Sequence, residues 1–224
     1  MIDIQDLANS ILQKQSELSV DKAFLVAVSG IDGSGKGYIT EKLITALNQR
    51  NIHAVAINLD AWHKLPSERF NSEHPGEYFY HHAFHFDDLF QKLILPLKNQ
   101  RMINLTTVLT GITGIPQTYN YQFANVDVIV LEGIFLLKRS LQHFYDFKIW
   151  IDCSFVTALE RAIQRNQEDI SPEQILEDYQ KIYFPAQKVH LAIDNPKSST
   201  DVIYINDFKL GVHHDPPNAP SSTM

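Results

Sequence analysis

Gly30-Ile31-Asp32-Gly33-Ser34-Gly35-Lys36-Gly37 is preceded by an apolar run, Ala23 to Val28. It is followed by a helical pattern in which Ile39, Leu43, Ala46 and Leu47 share one face. A strand, a glycine-rich turn closed by lysine, and a helix make a loop built to hold phosphates. Its backbone N–H groups and those of the first helical turn converge on an anion, and the Lys36 ammonium meets the outer phosphates of a nucleotide. Gly30, Ile31, Asp32, Gly33, Ser34, Gly35, Lys36, Gly37 and Tyr38 are therefore the expected nucleotide-contacting segment. One position departs from the pattern. The residue after the lysine is normally a Ser or Thr whose hydroxyl ligates Mg²⁺, and here it is Gly37, so other groups must hold the metal.

The chain of 224 residues is 44% apolar and 20% charged, the composition of a globular protein. It is long enough for one well-cored domain, expected over residues 1–210, with a loose tail over 211–224 that holds three prolines. A net charge of −7 leaves no basic surplus to neutralise nucleic acid. Cys153 is the single cysteine, which rules out an internal disulfide or a cysteine-rich metal site and fits a reducing cytoplasm. Met1 to Asn9 include Asp3 and Asp6 without a basic n-region, so no signal peptide is expected. No apolar run approaches the ~20 residues of a membrane span. Homo-oligomerisation is left open.

Ile4, Leu7, Ala8, Ile11 and Leu12 predict an amphipathic N-terminal helix over about residues 3–18. Strands are expected at Ala23–Val28, His53–Leu59, Val126–Leu131, Lys148–Ile151 and Val202–Ile205. Most are continuous apolar runs, as in a parallel sheet covered on both faces. Helical patterns lie between them: Phe86 to Leu97, a stretch around Ala158, Leu159, Ala162 and Ile163, and one opened by a capping box at Ser171-Pro-Glu-Gln174 and running toward Phe184. The fold class is α/β with a mostly parallel sheet. Ile103–Leu109 and Thr118–Phe123, split by Gly111, Gly114 and Pro116, predict an inserted β-hairpin that walls the acceptor site.

Asp32 lies in the loop, Asp60 ends the second strand and Glu132 ends the third. Ligands of open α/β sheets bind at the carboxyl ends of strands, so these carboxylates should converge on the nucleotide. Asp60 suits deprotonation of an acceptor hydroxyl, and Glu132 with Asp60 suits the metal and its water. Arg161 and Arg165, one turn apart on the face opposite Ala158 and Ile163, suit a phosphoryl clamp. Trp62, Tyr80 and His81 belong to an aromatic group that suits an acceptor wall. His81, His82 and His85 lack a fourth ligand for a metal. His213 and His214 belong to the solvated tail.

These residues resemble the uridine kinase and phosphoribulokinase group of P-loop kinases. The likeness runs from about Phe24 to Ile205 and rests on the loop, Leu59-Asp60 with Trp62, Phe84-His-Phe-Asp87, Val130-Leu-Glu132-Gly-Ile-Phe, Ile149-Trp-Ile-Asp152, Arg161 with Arg165, and Tyr183-Phe-Pro185-Ala186. The resemblance implies a P-loop NTPase three-layer fold with a five-stranded parallel core. It also implies ATP with Mg²⁺, Asp60 as general base, and Arg161 and Arg165 in a lid over about residues 161–185. Departures affect the acceptor. The family's ribose-gripping aspartate aligns with Tyr80, its uracil-reading hairpin residues have no counterpart in Leu105–Gly111, and Asn166-Gln-Glu-Asp-Ile-Ser171 replaces its arginine-rich lid loop. Asp32 is similar to the loop aspartate of thymidylate kinases, which contacts the acceptor's sugar. The leading expectation is an ATP-dependent kinase of a nucleoside-like or sugar-like hydroxyl. A nucleotide kinase of the thymidylate type, with Lys64 and Arg69 as its candidate phosphate-binding cations, is the alternative, and a non-catalytic nucleotide-binding regulator is a third.

Overall fold

A computed structural model describes residues 2–17, 21–166 and 170–207. Helix α1 (Ile4–Ser16) is opened by Asp3, whose side chain accepts from the Asp6 amide at 2.8 Å while Asp6 answers the Asp3 amide, a reciprocal cap. Five strands, β1 (Phe24–Gly30), β2 (Ala54–Asn58), β5 (Val128–Gly133), β6 (Phe147–Asp152) and β7 (Val202–Ile205), form one sheet in the order β2-β5-β1-β6-β7, and every pairing is parallel. The strand following the phosphate loop's own is thus not its neighbour. β5 lies between β1 and β2, which puts Glu132 beside both the loop and the end of β2.

Alternate residues of β1 feed two cores. Phe24, Val26 and Val28 face α1 and α2 (Lys36–Asn48), packing on Leu7, Ile11, Ile39, Leu43 and Leu47. Leu25 and Ala27 face the other layer with Trp62, Phe79, Phe84, Leu93 and Phe135. That second layer holds α3 (Pro66–Arg69), α4 (Pro75–His82), the α5–α6 helix and the C-terminal helices. α5 (Phe86–Leu89) runs through a π turn (Phe90–Ile94) into α6 (Leu95–Gln100), so Phe90, Leu93, Ile94 and Leu97 stay buried.

The hairpin forms as expected: β3 (Ile103–Leu109) pairs antiparallel with β4 (Gln117–Phe123), apart from the main sheet. Ser171 does cap α8 (Pro172–Asp178), accepting from the Gln174 amide at 3.2 Å. The box is only half made, because the Gln174 side chain turns to Asp178 instead, at 2.9 Å. Nor does that helix stop at Phe184. It passes through a π turn (Tyr179–Tyr183) into α9 (Phe184–Asp194). The tail expected over 211–224, with His213 and His214, lies outside the described residues, as do Leu18 at the end of the expected first helix and Glu168-Asp169. Among the described residues no helix is long and apolar enough to cross a membrane.

Candidate active site

The loop is built by two left-handed glycines. Gly33 (φ +74°) leaves no room for a side chain, since a Cβ there would stand 2.3 Å from the Ala158 carbonyl oxygen. Gly35 (φ +84°) is the N-cap of α2, without a side-chain cap, so the N–H groups of the first turn stay available to an anion. The cradle is braced from outside: the Ser34 carbonyl accepts from Asn206 Nδ2 at 2.8 Å and from Arg161 Nη1 at 3.2 Å. Inside it, the buried Ser34 hydroxyl has no protein partner among the described residues. A bare backbone cradle, an orphaned hydroxyl and a helix N-terminus fit a polyphosphate.

Lys36 is buried, with Nζ 3.7 Å from Asp32 and 3.8 Å from Glu132. Burial pushes the Glu132 carboxyl up to about 7, against the pull of Lys36 and with Asp60 and Asp32 adding repulsion. Asp32 is half-buried, which works against its charge, yet Lys36, a hydrogen bond from Tyr179 and Arg165 together hold it below its ordinary value. Asp60 stands on a 3-10 turn (Leu59–Trp62) directly after β2, its amide donating to Asn58 Oδ1 at 2.6 Å. Asn58 lies opposite Glu132 in the β2–β5 register, so the sheet itself brings these carboxylates to one end.

Beyond the loop opens a cleft lined by Asp32, Asp60, His63, Arg69, Arg165 and Asp178, with apolar walls that include Phe79, Ile112 and Ile134. His63 Nδ1 lies 2.8 Å from the Asp60 carbonyl oxygen. Burial lowers its pKa and keeps the ring neutral, so Nδ1 carries the proton and Nε2 is left as an acceptor. Arg69 is buried and donates to the carbonyls of Lys64 (3.1 Å), Gly111 (3.3 Å) and Ile112. It thereby staples the hairpin tip to α3, forming the far wall. Tyr179 and Tyr183, from the π turn, close the near side.

The structure brings Asp32, Lys36, Asp60, Glu132, Arg161 and Arg165 together, with one correction of face. In α7 (Phe155–Arg165), Ala158, Arg161, Ala162 and Arg165 fall at i, i+3, i+4 and i+7, the same face. Ala158 lets the helix lie against Gly33 of the loop, Ala162 packs on Ile175 and Tyr179, and the arginines flank the loop contact. Trp62, Tyr80 and His81 do not reach the cleft as an acceptor wall should. Trp62 is 1% exposed and donates to the Tyr121 hydroxyl at 3.3 Å, anchoring the hairpin. Tyr80 is buried, its hydroxyl donating to Asp194 at 2.6 Å, where His190 also binds at 2.7 Å. His81 is exposed, in a separate depression with Lys64 and Lys138. Tyr38 is 62% exposed, so only its backbone is near the cradle. His63, Asp178 and Tyr179 escaped the sequence reading; the only local hint was their polar side chains following Asp60 and the Ser171-capped helix.

The chain matches the model of the phosphoribulokinase/uridine kinase family over residues 25–206. It is 27% identical over 197 residues to a uridine kinase of Macrococcus caseolyticus, covering 82% of this chain and 88% of that one. A uridine-cytidine kinase 2-B of Danio rerio is 24% identical, over 84% of this chain and 78% of the other. Among solved structures, a possible uridine kinase from Bacillus stearothermophilus superposes with a TM-score of 0.68 at 19% identity, covering 90% of this chain and 96% of that one, and so shares the fold.

Proposed function

The chain belongs to the phosphoribulokinase/uridine kinase family, a P-loop kinase acting on a hydroxyl, and on that footing we propose that it phosphorylates an uncharged, hydroxyl-rich acceptor with ATP. A sugar, a polyol or the sugar of a nucleoside has that chemistry. The observation that carries this reading is the cleft lining: the carboxylates of Asp32, Asp60 and Asp178 and the acceptor nitrogen of His63 all want donors. Its two cations are engaged, Arg69 with three carbonyls and Arg165 at 4.0 Å from Asp32. An acid or phosphate-bearing acceptor would sit among carboxylates, which disfavours the thymidylate-type alternative. The remaining walls, among them Phe79, Ile112, Ile134 and Ile175, suit the C–H faces of a ring.

In this reading Lys36 and the loop amides hold the donor's phosphates, and Asp60 takes the proton of the attacking hydroxyl. Arg161 and Arg165 neutralise charge as the segment to about residue 185 closes as a lid. Glu132 and Asp60 would hold Mg²⁺, which would spread the phosphate charge. Among the described residues no three acidic or histidine side chains cluster tightly enough to cage an ion, and Mg²⁺ takes phosphates and several waters readily. The single free cysteine, Cys153, fits our placement of the enzyme in a reducing cytoplasm.

A screen of ADP release over neutral polyols, sugars and nucleosides, with acidic and phosphorylated compounds beside them, tests the reading. Turnover should fall in the neutral set. Uridine should be poor, with kcat/KM under ~10⁴ M⁻¹s⁻¹, because Leu105–Gly111 offers no counterpart to the family's uracil-reading hairpin residues. Turnover confined to nucleoside monophosphates or hydroxy acids would sink it.

Gly37 offers a second check. A Cβ there meets nothing within 4 Å, so the missing hydroxyl is not excluded by space. Gly37→Ser should raise thermal stability by ~0.5–1 kcal/mol at most and lower the Mg²⁺ concentration for half-maximal rate. Loss of nucleotide binding in this variant would mean that the bare backbone is required.

A further inference from the structure

A loop that presents donors to an anion has an acidic side chain in its middle. Asp32 Oδ1 lies 3.7 Å from Lys36 Nζ and 4.0 Å from Arg165 Nη2, and Oδ2 accepts from the Tyr179 hydroxyl. Lys36 and Arg165 are the cations that nucleotide phosphates must claim, so Asp32 and a polyphosphate compete for them. Tyr179 comes from the π turn after α8, 147 residues along the chain, where one extra residue per turn rotates a ring off the regular helical face. Its ring is fixed edge-on by Tyr183 and Phe184, both centroids at 5.2 Å. Burial and the Asp32 charge raise its pKa, so the phenol stays a donor. The contact spans from the loop to the segment Pro172–Tyr183.

We propose that Asp32 is an internal competitor for Lys36 and Arg165, and that Tyr179 couples its exchange to the helical segment that covers the cleft. When phosphate takes the cations, Asp32 keeps Tyr179, and its released Oδ1 faces the cleft, where it accepts from an acceptor hydroxyl. Donor binding thus prepares the acceptor end, and the donor binds first. Only this last step rests on the kinase reading above. Tyr179 is a positioning residue, acting through Asp32.

The test needs no acceptor. Binding of inorganic tripolyphosphate without metal, and of a non-hydrolysable ATP analogue with Mg²⁺, is measured by calorimetry for the wild type, Asp32→Asn and Tyr179→Phe. Hydrogen exchange is followed over 172–183. Asp32→Asn removes the competing charge but still accepts from Tyr179. It should bind tripolyphosphate about 10-fold more tightly, within the 5–150-fold usual for coupled sites, with exchange near wild type. Tyr179→Phe should speed exchange over 172–183 and leave tripolyphosphate affinity within about threefold, since the charge remains. Asp32→Ser, which removes the charge with a different shape, should repeat the gain in affinity and guards against a folding defect of one variant. Weaker binding of both ligands in Asp32→Asn overturns the proposal in favour of a loop-shaping role. Weaker binding of the Mg²⁺ complex alone overturns it in favour of a metal role, and unchanged affinity removes the competition. Unchanged exchange in Tyr179→Phe removes the coupling. A failed acceptor screen leaves each of these results intact, so the two readings fail separately.

Discussion

Asp60→Asn should lower kcat by ~10²–10⁴-fold while nucleotide affinity stays within about threefold of wild type. The substitution keeps shape and removes only the capacity to take a proton. The turn that carries Asp60 is held by main-chain groups, its amide on Asn58 at 2.6 Å and its carbonyl on His63 at 2.8 Å, so the backbone should not move. An interaction made only as the acceptor loses its proton lowers kcat and kcat/KM together, and single-turnover rates separate that loss from product release. The carboxylate of Asp60 also repels Glu132, so the variant should lower the Glu132 pKa toward its ordinary value. Nucleotide affinity that falls while kcat at saturation holds would leave Asp60 to the metal alone, with no part in proton transfer.

Much of the fold could be read because the sheet is internal. β1 is buried along its whole length, and a strand covered on both faces must be apolar at every position. The phosphate loop was legible for a related reason: glycine at 33 and 35 answers a backbone need that no other residue meets. What periodicity cannot report is which partner covers a face. Tyr80 looked like an acceptor wall because its neighbours are aromatic, but its hydroxyl is held by Asp194, 114 residues away. Trp62 is likewise claimed by Tyr121 of the hairpin. The face of the α7 arginines is not legible from its apolar residues, because Ile163 packs on a separate small cluster with Ile175 and Tyr179. Ala158 and Ala162 mark the buried stripe, and small residues at a close helix–loop contact give a weak hydrophobic signal. Tyr179 was hidden by its π turn, since the extra residue breaks the 3.6-residue period on which a face is counted.

Lys36→Ala should cost ~10²–10³-fold in kcat/KM, the usual loss when one donor aimed at developing charge is removed from a dry site, and it should also change how stability depends on pH. The ammonium is buried between Asp32 at 3.7 Å and Glu132 at 3.8 Å, with Asp60 adding repulsion to Glu132. Glu132 has a folded pKa of about 7 against an ordinary 4.5, so the folded protein holds a proton that the unfolded chain has already released. Stability therefore falls as pH rises from 4.5 to about 7 and is flat above, a loss on the order of 3 kcal/mol for wild type. Lys36 pulls that pKa down, so its removal pushes the pKa higher and extends the falling limb to more alkaline pH. The variant should melt well below wild type at pH 8, and the gap should narrow by pH 5–6, where Glu132 is protonated in both folded proteins. It should not close there, because Lys36 also holds Asp32 below its ordinary value, and that share of stability is lost only as pH falls through the acid range. Adding Glu132→Gln removes the uncompensated charge. The double variant should recover melting temperature at pH 8 and no activity, since the phosphate-binding cation is still missing. A melting gap that is constant from pH 5 to 9 would show that Lys36 does not stabilise the fold through these carboxylates, leaving its whole effect to phosphate binding.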